Sequence, residues 1–127
     1  SETSAPTVTQ VTDRSTAVEI NALHGTITVP ATLTPANSGG ESAPERFTVN
    51  NDRVSAGDLV LVAFSNDYSP EDGDTILHLE SMKVVSGAFD IHYFNISSTN
   101  ALSDDLEITF RVIPSSALLW NASTTEP

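Results

Sequence analysis

The chain predicts an all-β fold, and three observations carry that prediction. The segment Leu106-Glu107-Ile108-Thr109-Phe110-Arg111-Val112-Ile113 alternates almost perfectly, with Leu106, Ile108, Phe110 and Val112 on one side and Glu107, Thr109 and Arg111 on the other. That is the pattern of a strand covered on one face only. Further short runs of similar character recur along the chain, separated by Gly, Pro, Asn, Asp and Ser, and no stretch carries a convincing helical period. The expectation is a single-domain β-sandwich, jelly-roll-like, of about eight short antiparallel strands with an extended N-terminal arm and a C-terminal tail.

Each element has its own justification. Residues 1–6 are small and polar, end on Pro6, and read as a flexible arm before a folded unit spanning 7–114. Thr7 to Thr12 is β-branched and alternating, hence a strand or extended segment. Ala17 to Asn21 and Gly25 to Val29 give two short strands, with Val18, Ile20, Ile27 and Val29 pointing inward. Pro30 to Pro44 holds three prolines and Gly39-Gly40, which makes a long loop.

Arg46 to Asn50 is a strand with Phe47 and Val49 on one face, and Asn51-Asp52 starts a turn. Leu59 to Phe64 is apolar throughout and reads as a central strand covered on both sides. Asn66 to Asp74, with Asp72-Gly73, is a loop or hairpin tip. Thr75 to Val85 is long for one strand and its periodicity slips near Glu80 to Met82, which predicts a bulge. Ser86-Gly87 turns it into Ala88 to Ser97, with Phe89, Ile91 and Tyr93 on one face. Asn100 to Asp105 is a polar loop before the last strand, and residues 115–127 form the tail.

Composition bounds the function. A chain of 127 residues is one domain's worth; hydrophobic residues make up 39% and aromatics 6%, which implies a modest core with polar ends. Cysteine is absent, so neither disulfides nor thiolate chemistry operate. No apolar run approaches the ~20 residues of a membrane span, and no signal peptide opens the chain. Seventeen acids against five Lys plus Arg give a formal charge of -12. Arg14, Arg46, Arg53, Lys83 and Arg111 are scattered, so phosphate backbones and anionic membranes are poor partners. Contacts with other subunits must then be mostly apolar or main-chain.

Chemical constellations are weak. Asp67, Glu71, Asp72 and Asp74 could offer oxygens to Ca²⁺, yet their spacing is not that of an EF-hand loop, and a solvated hairpin tip is the simpler account. His24, His78 and His92 share no zinc spacing. There is no G-x-S-x-G elbow and no phosphate-cradling glycine loop. Sugar stacking would draw on Trp120, Tyr68 and Tyr93, while most phenylalanines fall on core-facing registers. Asn95-Ile96-Ser97 and Asn121-Ala122-Ser123 match the glycosylation sequon, a frequent chance event in a Ser/Thr-rich chain. No catalytic residue, cofactor or metal is expected. The tail triplet Leu118-Leu119-Trp120 is the sharpest local anomaly, since a buried Leu or Trp is worth ~1.5–3 kcal/mol. It either folds back on its own domain or anchors on a neighbouring subunit.

Three blocks in fixed order resemble a recurrent type of small virion protein from tailed bacteriophages. They are Val8-Thr9-Gln10 through Thr12-Asp13-Arg14-Ser15-Thr16-Ala17-Val18 to Gly25-Thr26-Ile27-Thr28; Phe47-Thr48-Val49-Asn50-Asn51 with Leu59-Val60-Leu61-Val62; and Gly87-Ala88-Phe89, Asn95-Ile96-Ser97, Ala101-Leu102-Ser103-Asp104 and Leu106 to Ile113. In such proteins the final block reads G-S-F-x-V…N-x-S…A-L…L-x-I-x-F-x-V-I. The likeness covers roughly residues 8 to 113. The insertion around Thr34 to Pro44 and the tail beyond Ile113 are longer than the pattern.

The resemblance implies a non-enzymatic structural protein made in the host cytoplasm and located on the virion, of the head decoration (cement) type. Such a protein binds the outer capsid surface, often as a homotrimer, and bridges major capsid protein subunits. The departures leave a second role open: a tail-fibre or head-fibre domain binding a host glycan. The residues expected to make contacts are those of the extended segment Thr3 to Thr12, with Thr7, Val8, Thr9 and Val11 foremost, by adding a strand to a neighbouring sheet edge, and Leu118, Leu119 and Trp120 of the tail.

Overall fold

The computed structural model describes residues 5–33, 44–65, 77–95 and 105–118. Among these are eight strands and one short helix: β1 (Thr7–Thr9), β2 (Val18–Glu19), β3 (His24–Val29), β4 (Pro44–Asn50), β5 (Leu59–Phe64), β6 (Leu77–Val85), β7 (Ala88–Asn95), β8 (Leu106–Ile113) and α1 (Ser115–Leu118). They form two four-stranded sheets, β1-β3-β8-β5 and β2-β4-β7-β6, called sheets I and II below. The all-β sandwich predicted from periodicity is what forms.

Alternation builds the core directly. On β8, Leu106, Ile108, Phe110 and Val112 are buried while Glu107 and Arg111 are exposed. Register lines up Ile27 with Ile108, Val29 with Leu106, and Val60 with Val112 in sheet I. In sheet II it lines up Val49 with Phe89, Phe47 with Ile91, and Val18 with Val49. One aromatic ring from each sheet meets in the middle: Phe89 and Phe110 lie 5.5 Å apart between centroids, tilted by 57°.

The pairing is nested. β3 joins β8 and β4 joins β7, both antiparallel. β5 and β6 complete the nest across the gap between sheets, where the Ser81 hydroxyl donates to the Val60 carbonyl at 2.6 Å. This is the winding of a rolled-up hairpin, as in a jelly roll. The opposite flank carries the two shortest strands, β1 and β2.

Four expectations are corrected. The strands are not all antiparallel: β1 runs parallel to β3, and β2 runs parallel to β4. Strand β1 stops at Thr9 instead of reaching Thr12. There the Asp13 N–H donates to the Val11 carbonyl at 2.9 Å across Thr12, whose φ of 73° closes a γ-turn rarely seen at a β-branched residue. β5 is an edge strand, not a central one; Val60 is buried and Val62 and Phe64 half-buried, but Leu59, Leu61 and Ala63 are exposed. The irregularity in β6 falls between Met82 and Val85, slightly after the predicted slip, with Lys83 at a φ of 54°. The predicted Ser86-Gly87 turn is present, Gly87 holding a φ of 87°.

One end of the sandwich is fastened by Asn51, which is almost fully buried. Its Nδ2 donates to the Ala22 carbonyl at 2.7 Å, and its Oδ1 accepts from the Ala22 N–H at 3.2 Å and the Arg53 N–H at 3.0 Å. Its own N–H donates to the Gly87 carbonyl at 2.9 Å, and the Gly87 N–H reaches the Val54 carbonyl at 2.9 Å. One residue thus joins three connections: β2 to β3, β4 to β5, and β6 to β7.

Candidate interaction surface

Sheet I ends in β1, and its hydrogen bonding fixes what that edge offers. The Thr26 N–H donates to the Pro6 carbonyl at 3.0 Å and the Gln10 N–H to the Thr28 carbonyl at 2.8 Å. In a parallel pair alternate residues bond to the partner, so Val8 faces β3 while the main-chain groups of Thr7 and Thr9 point away from it. The Val8 side chain packs on the core and the two threonine side chains are exposed. The expected arm is therefore an edge strand of its own domain, with no described strand paired to its far side. Thr7 stands opposite Thr26, which stands opposite Thr109, so the outer face carries a row of three threonines.

Beyond β1 the chain is rigidly braced. The Asp13 carboxylate accepts from the Ser15 N–H at 2.9 Å, the Ser15 hydroxyl at 2.7 Å and the Thr16 hydroxyl at 3.1 Å. These bonds, those from Ser15 foremost, hold its carboxyl below the ordinary carboxylate value. The Gln10 amide donates to the Thr16 carbonyl at 2.8 Å, closing the loop from the other side. At its tip Val11 is 60% exposed.

Beneath that loop is a buried polar group that no motif or spacing foretold. Arg14 is only 3% exposed, and its guanidinium donates to the Ala31 carbonyl at 3.1 Å. Glu45 and Tyr93, cross-strand partners on β4 and β7, are buried as well. Burial pushes the Tyr93 phenol well above its ordinary value; Arg14 opposes that shift and Glu45 reinforces it. Among the described residues, Gln10 Oε1, Arg14 Nε and Tyr93 Oη have no hydrogen-bond partner. Tyr93 is thus a core residue and offers no stacking platform for a sugar.

The outer face of sheet II is polar. The Thr48 hydroxyl donates to Asp90 at 2.8 Å, Arg46 lies 3.8 Å from the same carboxylate, and His92 Nδ1 lies 3.1 Å from Glu80. Ion pairs that still reach water in this way are worth little individually. His24 sits on the opposite outer face, so it and His92 cannot share a ligand within one chain. Among the described residues, no three His, Asp or Glu side chains gather as a metal site. No described helix is long and apolar enough to cross a membrane.

The outer face of β5 is apolar. Leu59 and Leu61 are 43% and 49% exposed, Ala63 continues the line, and Ile113 stands beside Leu59 on β8. The short helix α1 begins here, its Ser115 N–H donating to Asp58 at 2.9 Å. Of the tail residues expected to make contacts, Leu118 closes α1, and Leu119 and Trp120 lie outside the described residues. So do the acidic loop Asp67 to Asp74, Tyr68, the second sequon, and Ile96 and Ser97 of the first.

No protein-family model, curated protein or solved structure matches the chain.

Proposed function

We propose that the chain is a structural subunit of a tailed-phage particle, a decoration protein that binds the outer surface of the head and stabilises contacts between major capsid subunits. The observation that carries this reading is the order and spacing of the three sequence blocks within residues 8–113. The edge geometry is compatible with it. Thr7 and Thr9 turn main-chain donors and acceptors outward, and Val11 projects from a braced turn. A neighbour's strand added to that edge would gain directional hydrogen bonds without bringing like charges together, which matters for a chain of net charge -12. Copies bound this way stabilise the assembled shell by mass action, since they bind the assembled state and not its free components.

The protein acts as a homotrimer in this reading, on the capsid exterior, with neither nucleic acid nor membrane as partner. The test is direct. The purified protein is added to heads lacking it, and both its oligomeric state by sedimentation and the thermal stability of the loaded heads are measured. Trimers that bind heads and raise their disruption temperature are expected, with Val11→Glu weakening the association. A protein that stays monomeric and leaves the heads unchanged refutes the proposal. Density on the tail in particle images, together with a positive glycan array, would establish the fibre-domain alternative instead.

A further inference from the structure

We infer that in the assembled protein the place of β1 on β3 is taken by β1 of a second copy, each copy lending its first strand to the next with Thr12 as the hinge. Resting on the trimeric reading above, this exchange joins the copies, while the outer side of the lent strand stays available to the shell.

The hinge is under strain. Thr12 holds a φ of 73°, a costly region for a branched side chain, and does so to close the γ-turn between the Val11 carbonyl and the Asp13 N–H. With β1 swung out, the chain runs extended through Thr12 and that strain is released. Both flanks are organised without the turn. Before it, β1 is a three-residue strand. After it, the Asp13 carboxylate is held by Ser15 and Thr16, and Arg14 by the Ala31 carbonyl. The side-chain bond that spans the hinge, from the Gln10 amide to the Thr16 carbonyl, is restored when a neighbour's Gln10 arrives with its β1. Short connections under strain invite exchange of an element between copies.

The seat on β3 takes contacts that any copy supplies. They are the bond from the Thr26 N–H to the Pro6 carbonyl at 3.0 Å, the bond from the Gln10 N–H to the Thr28 carbonyl at 2.8 Å, and Val8 against the core. Gly25 shapes the approach, since a Cβ there would stand 3.0 Å from the Pro6 carbonyl oxygen. Exchange reproduces this set unchanged, so the choice between own and borrowed strand turns on hinge strain and protein concentration.

Charge and register select the occupant. Copies of net charge -12 repel one another, yet residues 5–12 hold no Asp, Glu, Lys or Arg, and neither does β3. These two strands meet without opposing like charges. A foreign strand could match the main chain, but a second copy also brings Val8 to the core and Gln10 to Thr16 in the same register. The tether keeps β1 at millimolar effective concentration on its own β3, so isolated chains close on themselves and exchange grows as copies are concentrated.

The absence of native cysteine makes the test specific. In Thr7→Cys/Thr26→Cys the only two thiols stand side by side wherever β1 lies on β3. A short thiol-specific crosslinker applied to the associated protein is expected to give covalent trimers on a denaturing gel. The same reagent applied after refolding at high dilution should give internally linked monomers. Thr12→Gly, which accepts the positive φ without strain, should weaken association by roughly 5- to 150-fold in sedimentation. Thr12→Val keeps the branched side chain and should associate like the parent. Trimers that yield only internally linked monomers overturn the inference and leave the decoration reading standing. Association unchanged by Thr12→Gly overturns it as well, and a chain monomeric at every concentration overturns both.

Discussion

Removing the Asn51 side chain should loosen one whole end of the sandwich. Asn51→Ala deletes three hydrogen bonds, the one donated to the Ala22 carbonyl and the two accepted from the Ala22 and Arg53 N–H groups. At about 1 kcal/mol each the loss is about 3 kcal/mol, with more if the Ala22 groups stay dry and unpaired. Unfolding entropy of about 2.1 cal/mol/K per residue gives roughly 0.27 kcal/mol/K for 127 residues, so the melting temperature should fall by about 11 °C.

The assay is thermal circular dichroism at several protein concentrations, because any self-association makes Tm concentration-dependent. Asn51→Asp sharpens the test. It keeps both accepted bonds but points a carboxylate at the Ala22 carbonyl, so it should be as damaging at neutral pH and recover partly as acid protonates the new carboxyl. A drop below about 3 °C for Asn51→Ala, or an Asp variant whose deficit does not shrink with falling pH, would refute the idea that this amide couples the three connections.

Three further outcomes follow from other sites. Gly25→Ala should cost about 1–3 kcal/mol by overpacking alone, since a Cβ there meets Ile20 Cδ1 at 2.7 Å, the Pro6 carbonyl oxygen at 3.0 Å and Phe110 Cε1 at 3.1 Å; denaturant melts read the loss, and early hydrogen exchange at Thr26 would report β1 lifting off β3. Asp13 has a depressed carboxyl, so its contribution is present above the ordinary value of 3.8 and disappears as pH falls through its lower folded value. Asp13→Asn should therefore narrow its stability gap to the parent below about pH 4, and a gap constant with pH contradicts the bonding described. Tyr93 has a raised phenol, so stability should decline as pH climbs past its unfolded value of 10.0. In a Tyr68→Phe background, tyrosinate absorbance should stay silent there and appear only with unfolding; smooth titration of the folded protein near its ordinary value would show that Tyr93 reaches water.

Alternation located β3, β4, β7 and β8 because each one is half-covered, and half-covered strands write their orientation into alternate letters. Phe89, Ile91 and Tyr93 are the clear case, all buried as read. It misread β5 because an unbroken apolar run has two causes, cover on both faces or a core side backed by a sticky outer side, and the letters Leu59 to Phe64 do not distinguish them. The parallel pairing of β1 and β2 was illegible for a different reason. Two- and three-residue strands carry too little pattern to choose a direction, which is set by where the neighbouring loops bring them. Arg14 was equally hidden, since no spacing separates a guanidinium tucked beneath a loop from the solvated cations Arg46 and Arg53. Of the expected contact residues, Thr7 to Thr9 form the edge strand β1, and Val11 lies on the turn that follows it.

Sheet I places β8 between β3 and β5, so that inner position is filled by the last of the described strands to be synthesised. Until Leu106 to Ile113 is synthesised, β3 and β5 have no partner to share, and their apolar sides wait uncovered in the growing polypeptide. Contacts between such remote parts of a sequence assemble slowly. Nascent copies on one crowded messenger would then be at risk of sticking to each other. The strong negative charge, of no use in holding the finished molecule together, would keep those unfinished chains apart during that interval.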